Sequence, residues 1–128
     1  MSCPENALSL KILIAEDDNI NQRLMAFQLK NWEDHLVFAD NGMEALRLYR
    51  ELMNEISLVF MDVRMPLMDG IEATRKILEL NPKARVIALS AFAPEENKFE
   101  PGEVGFVDYI SKPIRKEELV NIVSKYHV

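Results

Sequence analysis

Short apolar runs punctuate the chain at 12–15, 36–39, 58–61, 86–89 and 107–110. Each has the length of a strand, and their lack of polar alternation is what strands covered on both faces show. Between the runs, apolar residues return at helical spacing. Ile20, Leu24, Phe27 and Asn31 share one face with Met25 and Leu29 beside it, and Ala45, Leu46, Tyr49, Leu52 and Met53 make a second stripe. Ile71, Thr74, Ile77 and Leu78 make a third, and Leu119, Val120, Val123 and Tyr126 a last. Alternating strands and helices with short connections predict an α/β domain with five parallel strands and five helices.

Only the fourth connection, 94–105, reads poorly as a helix. Pro101 removes a backbone donor, the Gly102 after it adds a helix penalty of about 1 kcal/mol, and the apolar stripe is thin, with Phe99 and Val104 as its main members. At most one or two turns, from Pro94 to about Glu100, are expected to survive, leaving the fourth helix short or irregular.

Composition narrows the partners. With 21 Asp+Glu against 15 Lys+Arg the 128-residue chain carries a net charge of -6, which argues against nucleic acid or an anionic membrane surface as a bulk partner. Its single cysteine, Cys3, cannot form an internal disulfide and lies in a polar N-terminal stretch. No window approaches a membrane-spanning length, and the N-terminus has no basic patch followed by an apolar run. A cytoplasmic location is expected, with residues 1–10 a tail and 11–127 one domain.

Open sheets of this type bind ligands beyond the carboxyl ends of their strands. There the sequence places Glu16, Asp17 and Asp18 after the first strand, Asp62 at the end of the third, Ser90 at the end of the fourth, and Lys112-Pro113 after the fifth. Any one of these would ordinarily be a solvated or capping residue. Four loops delivering polar groups to one rim is a different matter. Clustered carboxylates repel unless they gain a proton or a cation, and Mg²⁺ takes one or two carboxylates together with phosphate oxygens. Lys112 could then pair with an anion beside the metal and Ser90 donate to it, most simply a phosphoryl group. A glycine-rich phosphate loop is a poorer fit, because the turn after the first strand is acidic.

The segments ILIAEDDNIN, LVFMDVRMPLMDGIEATR, VIALSA and DYISKPI together resemble the receiver domain of two-component response regulators, in order and spacing, over residues 11–127. The resemblance implies a flavodoxin-like (βα)5 three-layer sandwich with strand order 2-1-3-4-5. It implies that Asp62 is the phosphoacceptor, that Glu16, Asp17, Asp62 and the backbone carbonyl of Arg64 hold Mg²⁺, and that Ser90 and Lys112 contact the phosphoryl oxygens. Tyr109 matches the switch aromatic, and Lys112-Pro113 a position where the family usually has a cis peptide. Implied partners are a sensor histidine kinase or histidine phosphotransfer protein and a downstream protein target, with the chain a monomer or a phosphorylation-dependent dimer, acting alone or as part of a larger protein such as a hybrid sensor kinase.

The expected activity is a phosphorelay switch without a separate turnover substrate. The alternative is a metal-dependent phosphohydrolase with an Asp nucleophile, but the haloacid dehalogenase type places a second Asp two residues after the nucleophile, where this chain has Arg64. Arg64 and Phe92 match the positions that border the attacking water in receivers. Neither suits the orientation of water, since Phe92 has no hydrogen-bonding group and Arg64 no acceptor. A comparatively long-lived acyl phosphate is therefore expected. The two histidines, His35 and His127, lack carboxylates or cysteines at ligand spacing and read as surface or capping residues.

Overall fold

A computed structural model describes residues 10–65, 67–90 and 101–127. Strands β1 (Lys11–Ala15), β2 (Leu36–Ala39), β3 (Ile56–Asp62), β4 (Val86–Ser90) and β5 (Asp108–Ser111) form one sheet in the order β2-β1-β3-β4-β5. Every neighbouring pair is parallel. The helices are α1 (Asn19–Gln28), α2 (Gly42–Leu52), α3 (Gly70–Leu80), the turn α4 (Pro101–Val104) and α5 (Lys116–Tyr126), with a 3-10 segment at Lys30–His35.

Local chemistry starts the first three helices. Asp18, Asn41 and Asp69 sit just before α1, α2 and α3, and their side-chain oxygens accept from the backbone N–H of Ile20, Glu44 and Glu72. Each cap satisfies a donor that the first helical turn leaves open. Helix α2 adds acidic Glu44 in its first turn and Arg50 in its last, matching the helix dipole at both ends.

Successive strand residues point to opposite faces, so the sheet divides the core in two. Ile12, Ile14, Leu58, Phe60, Ile87 and Leu89 pack with Met25 and Leu29 from the α1 side and Leu119, Ile122 and Val123 of α5. Leu13, Ala15, Val59, Met61, Val86 and Ala88 pack with Ala45, Leu46 and Tyr49 of α2 and Ala73 and Ile77 of α3. Most of these are fully excluded from solvent.

Two glycines set how closely the layers approach. A Cβ at Gly70 would stand 2.0 Å from the carbonyl oxygen of Asp62, and one at Gly42 1.9 Å from that of Met68. No side chain fits either gap, so α3 is pressed against the end of β3 and α2 against the β3–α3 loop.

The structure differs from the sequence reading at two places. The face bearing Ile20, Leu24 and Phe27 is turned to solvent, and Met25 and Leu29 beside it are the ones buried. Both positions satisfy helical periodicity, and the cap at Asp18 together with the packing on β1 and β3 decides which faces inward. In the fourth connection, helical backbone runs through Pro101 and Gly102, the residues taken as breakers. Burial of Val104 and Phe106 in the α2/α3 core outweighs the poor propensity there. The stretch Pro94 to Glu100, Phe92 and residues 1–9 of the tail lie outside the described residues.

Candidate acidic site at the strand ends

Parallel register aligns the candidate residues. Ala15 pairs with Met61, Asp62 with Leu89 and Ser90 with Ser111, so Glu16, Asp62, Ser90 and Lys112 fall along one rim. Backbone bonds hold the exits: Glu16 N donates to Ala39 O at 3.0 Å, Val63 N to Leu89 O at 3.0 Å and Lys112 N to Ser90 O at 2.7 Å. The Lys112-Pro113 peptide is cis, as the resemblance implied.

Three expected ligands converge. Carboxylate oxygens of Glu16, Asp17 and Asp62 lie within 4.8 Å of one another. Glu16 and Asp62 are 1% and 4% exposed, whereas Asp17 faces solvent. Lys112 Nζ donates to Asp62 Oδ2 at 2.6 Å and to Glu16 Oε1 at 3.0 Å, bridging the two buried carboxylates. The remaining oxygens meet backbone, with Arg64 N donating to Asp62 Oδ1 at 2.9 Å and Asp18 N to Glu16 Oε2 at 3.1 Å.

Burial raises the pKa of Glu16 and the Asp62 carboxylate adds to the rise, against the hydrogen bond from Lys112. Desolvation pulls the Lys112 ammonium downward, but its bonds to Asp62 and Glu16 prevail and its pKa is raised. The two carboxylates thus hold the ammonium charged in a poorly hydrated place, while burial and the neighbouring carboxylate together outweigh Lys112 at Glu16. A cavity of about 230 Å³ opens over them, lined among others by Asp17, Asn21, Arg64 and Ser90. Hard oxygen ligands, a repelling buried pair and room above them suit a small divalent cation.

Ser90 is 2% exposed and reaches the same cavity. Tyr109 lies farther along β5, half-buried against the α2/α3 core, with its N–H bonded to Asp108 Oδ1. Sequence reasoning missed Gln22. Its amide donates to Glu16 O at 2.6 Å and to Asp40 Oδ1 at 2.9 Å, tying the exits of β1 and β2 to α1. It missed Gln28 as well, whose amide donates to Ile114 O at 3.1 Å and so braces the loop carrying Lys112. Nothing in a lone helical glutamine announces such a bond.

The comparisons agree with this geometry. The response regulator receiver domain family matches residues 12–124. The chain is 34% identical to the yeast (Saccharomyces cerevisiae) osmosensing histidine protein kinase SLN1 over 95% of its own length and 10% of that protein. It spans between a tenth and a quarter of the length of the first curated relatives it matches. Among solved structures, the receiver domain of a Pseudomonas aeruginosa sensor histidine kinase, with a magnesium ion in its active-site cleft, is 27% identical at TM-score 0.82, covering 93% of this chain and 98% of that one. The yeast Ssk1 receiver domain, solved with the histidine phosphotransfer protein Ypd1, is 26% identical at TM-score 0.83, covering 93% of this chain and 89% of that one. With its five parallel strands in the order 2-1-3-4-5 and its acidic, lysine-bridged pocket, the chain belongs to the response regulator receiver domain family, the phosphoacceptor switches of two-component signalling.

Proposed function

We propose that Asp62 is the phosphoacceptor of this chain and that residues 11–127 are the receiver unit. The observation that carries the reading is the ammonium of Lys112 set between Asp62 and Glu16, beside a third carboxylate and under an open cavity. Asp62 Oδ attacks the phosphorus of a phosphohistidine, the O–P bond forms as the N–P bond breaks, and the imidazole nitrogen leaves with the electron pair. Phosphoryl transfer asks mainly for positioning and charge neutralisation. Lys112 supplies fixed positive charge beside the acceptor oxygen, and Ser90 a hydroxyl for a phosphoryl oxygen. Glu16, Asp17, Asp62 and the backbone carbonyl of Arg64 would hold Mg²⁺, which when bound neutralises charge on the transferring group. Tyr109 is assigned as the aromatic that reports the phosphorylated state.

The donor is a protein, a histidine phosphotransfer domain or sensor histidine kinase. Ile20, Leu24 and Phe27 are 74%, 44% and 69% exposed on the helix that begins beside Asp17 and Asp18, an apolar stripe that a docking donor would cover. A downstream protein reads the acyl phosphate, no separate substrate is turned over, and the setting is cytoplasmic. Among the described residues no helix is long and apolar enough to cross a membrane.

Incubation with acetyl phosphate and Mg²⁺ tests the assignment by intact mass. The wild type gains one phosphoryl group and Asp62→Asn gains none; an equal gain in the variant moves the acceptor elsewhere.

A further inference from the structure

A second cavity, of about 430 Å³, lies between α2 and the β3–α3 loop, away from the carboxylates. Its walls are Leu46, Met68, Met43 and Leu67, with Glu44, Arg47 and Arg50 along α2. Two features mark it. Met43 and Leu67 are 54% and 79% exposed, large apolar side chains held in water. Leu67 also adopts φ 70, a left-handed conformation that costs a branched side chain and would suit glycine. An exposed leucine thus stands over the groove on a left-handed backbone.

Two arginines and one glutamate line it. The chain is acidic overall, yet two arginines border this groove. Arg47 is occupied by Glu51 at 2.8 Å and Glu44 at 3.7 Å. Arg50 is exposed and has no ion-pair partner among the described residues. The groove therefore offers an adaptable Met-lined apolar floor and one uncompensated guanidinium.

We propose that this groove docks an amphipathic segment of a partner protein, with apolar anchors seated on Met43, Leu46, Leu67 and Met68 and a flanking carboxylate on Arg50. The close approach of Gly42 to the Met68 carbonyl ties the backbone of α2 to that of the β3–α3 loop, so the two walls are one unit under adaptable side chains. The site is distinct from the exposed stripe of α1 and does not depend on the role of Asp62.

The test uses the full ¹⁵N-labelled chain and two synthetic helical peptides, both with leucines at i, i+3, i+4 and i+7, one flanked by glutamates and the other by lysines. The glutamate peptide should shift amides at Met43, Arg47, Arg50, Leu67 and Met68, and bind more tightly than the lysine peptide. Leu67→Gly should weaken it by about tenfold, as loss of a buried leucine side chain implies, and because glycine tolerates this φ the variant folds. Arg50→Glu should reverse the preference between the peptides, and Asp62→Asn should leave binding intact. Equal binding of both peptides, shifts confined to Ile20, Leu24 and Phe27, or undiminished affinity in Leu67→Gly would overturn the proposal. So would a dimer in sedimentation that Leu67→Gly dissolves, which would assign the groove to a second copy of this chain.

Discussion

Lys112 Nζ lies 2.6 Å from Asp62 Oδ2, closer than its 3.0 Å to Glu16. One cation thus stands against two carboxylates that are both almost wholly withdrawn from water. Removing one partner of a buried pair costs more than the pair itself contributes, because the survivor stays charged and dry. Lys112→Met should lower stability by about 1.5–3 kcal/mol at neutral pH, the range for lost hydrogen bonds to charged groups, and by less on acidification, because Glu16, whose pKa burial already raises, is relieved by taking up a proton. Urea denaturation at neutral and at acidic pH checks both the loss and its direction.

Glu16 carries a second prediction. Its folded-state pKa lies above its ordinary value, so its contribution to stability is fully present below the unfolded pKa and is lost as pH rises through the folded one. At neutral pH the folded protein bears the cost of an ionised Glu16 beside Asp62, and a divalent cation held there would remove that cost. Magnesium at ten times its dissociation constant should add about 1.4 kcal/mol, and its affinity should fall on acidification as protons compete for Glu16. Glu16→Gln should melt no lower than wild type without metal and gain little from MgCl2, in paired thermal scans with and without EDTA.

Far from that rim, His35 Nδ1 and His127 Nε2 are 3.0 Å apart, and His127 Nδ1 is hydrogen-bonded to the hydroxyl of Ser57, which donates to Lys11 O at 3.4 Å. Burial lowers the His127 pKa and the charge of His35 lowers it further. A depressed histidine pKa means stability that is full above the unfolded value, about 6.5, and lost as pH falls through the folded one. The His127 share of stability should therefore fall as pH drops below about 6.5, against the opposite trend of Glu16. His127→Gln should remove that share, so denaturation midpoints of variant and wild type should differ less as pH falls; a difference that does not vary with pH would move the titration to other groups.

Substitutions on the exposed stripe of α1 should separate docking from chemistry. Phe27 is 69% exposed, so Phe27→Glu should change stability by no more than about 0.5 kcal/mol. Transfer from a phosphohistidine protein should slow about tenfold or more, the scale of a lost apolar anchor, while phosphorylation by acetyl phosphate is unchanged. Parallel time courses with the two donors give the comparison.

Much of this was written in residue order. Apolar runs fixed the strands because a parallel sheet covered on both faces leaves no room for polar alternation, and Asp62 and Lys112 were visible because each stands within two residues of the end of such a run. What stayed hidden depends on the third dimension. Periodicity marks α1 as a helix but cannot choose between the Ile20–Leu24–Phe27 stripe and the Met25–Leu29 one, since both repeat at helical spacing. The meeting of His35 with His127 joins residues 92 positions apart, and no local rule connects them. The amides of Gln22 and Gln28 are the same case: each donates to a backbone carbonyl, which every residue carries, and the Asp40 carboxylate that Gln22 also meets is 18 positions away.

Strand parity has one further consequence. Glu16 and Asp62 continue the odd-even sequence of Ile12, Ile14, Leu58 and Phe60, the residues that belong to the α1/α5 layer. Ser90 continues that of Val86 and Ala88, which belong to the α2/α3 layer. A bound group touching both Asp62 and Ser90 would straddle the wall between two compartments that the sheet otherwise keeps apart. News of its arrival would be delivered to both at once, and listeners on opposite sides of the molecule could hear the same message without any signal crossing the sheet.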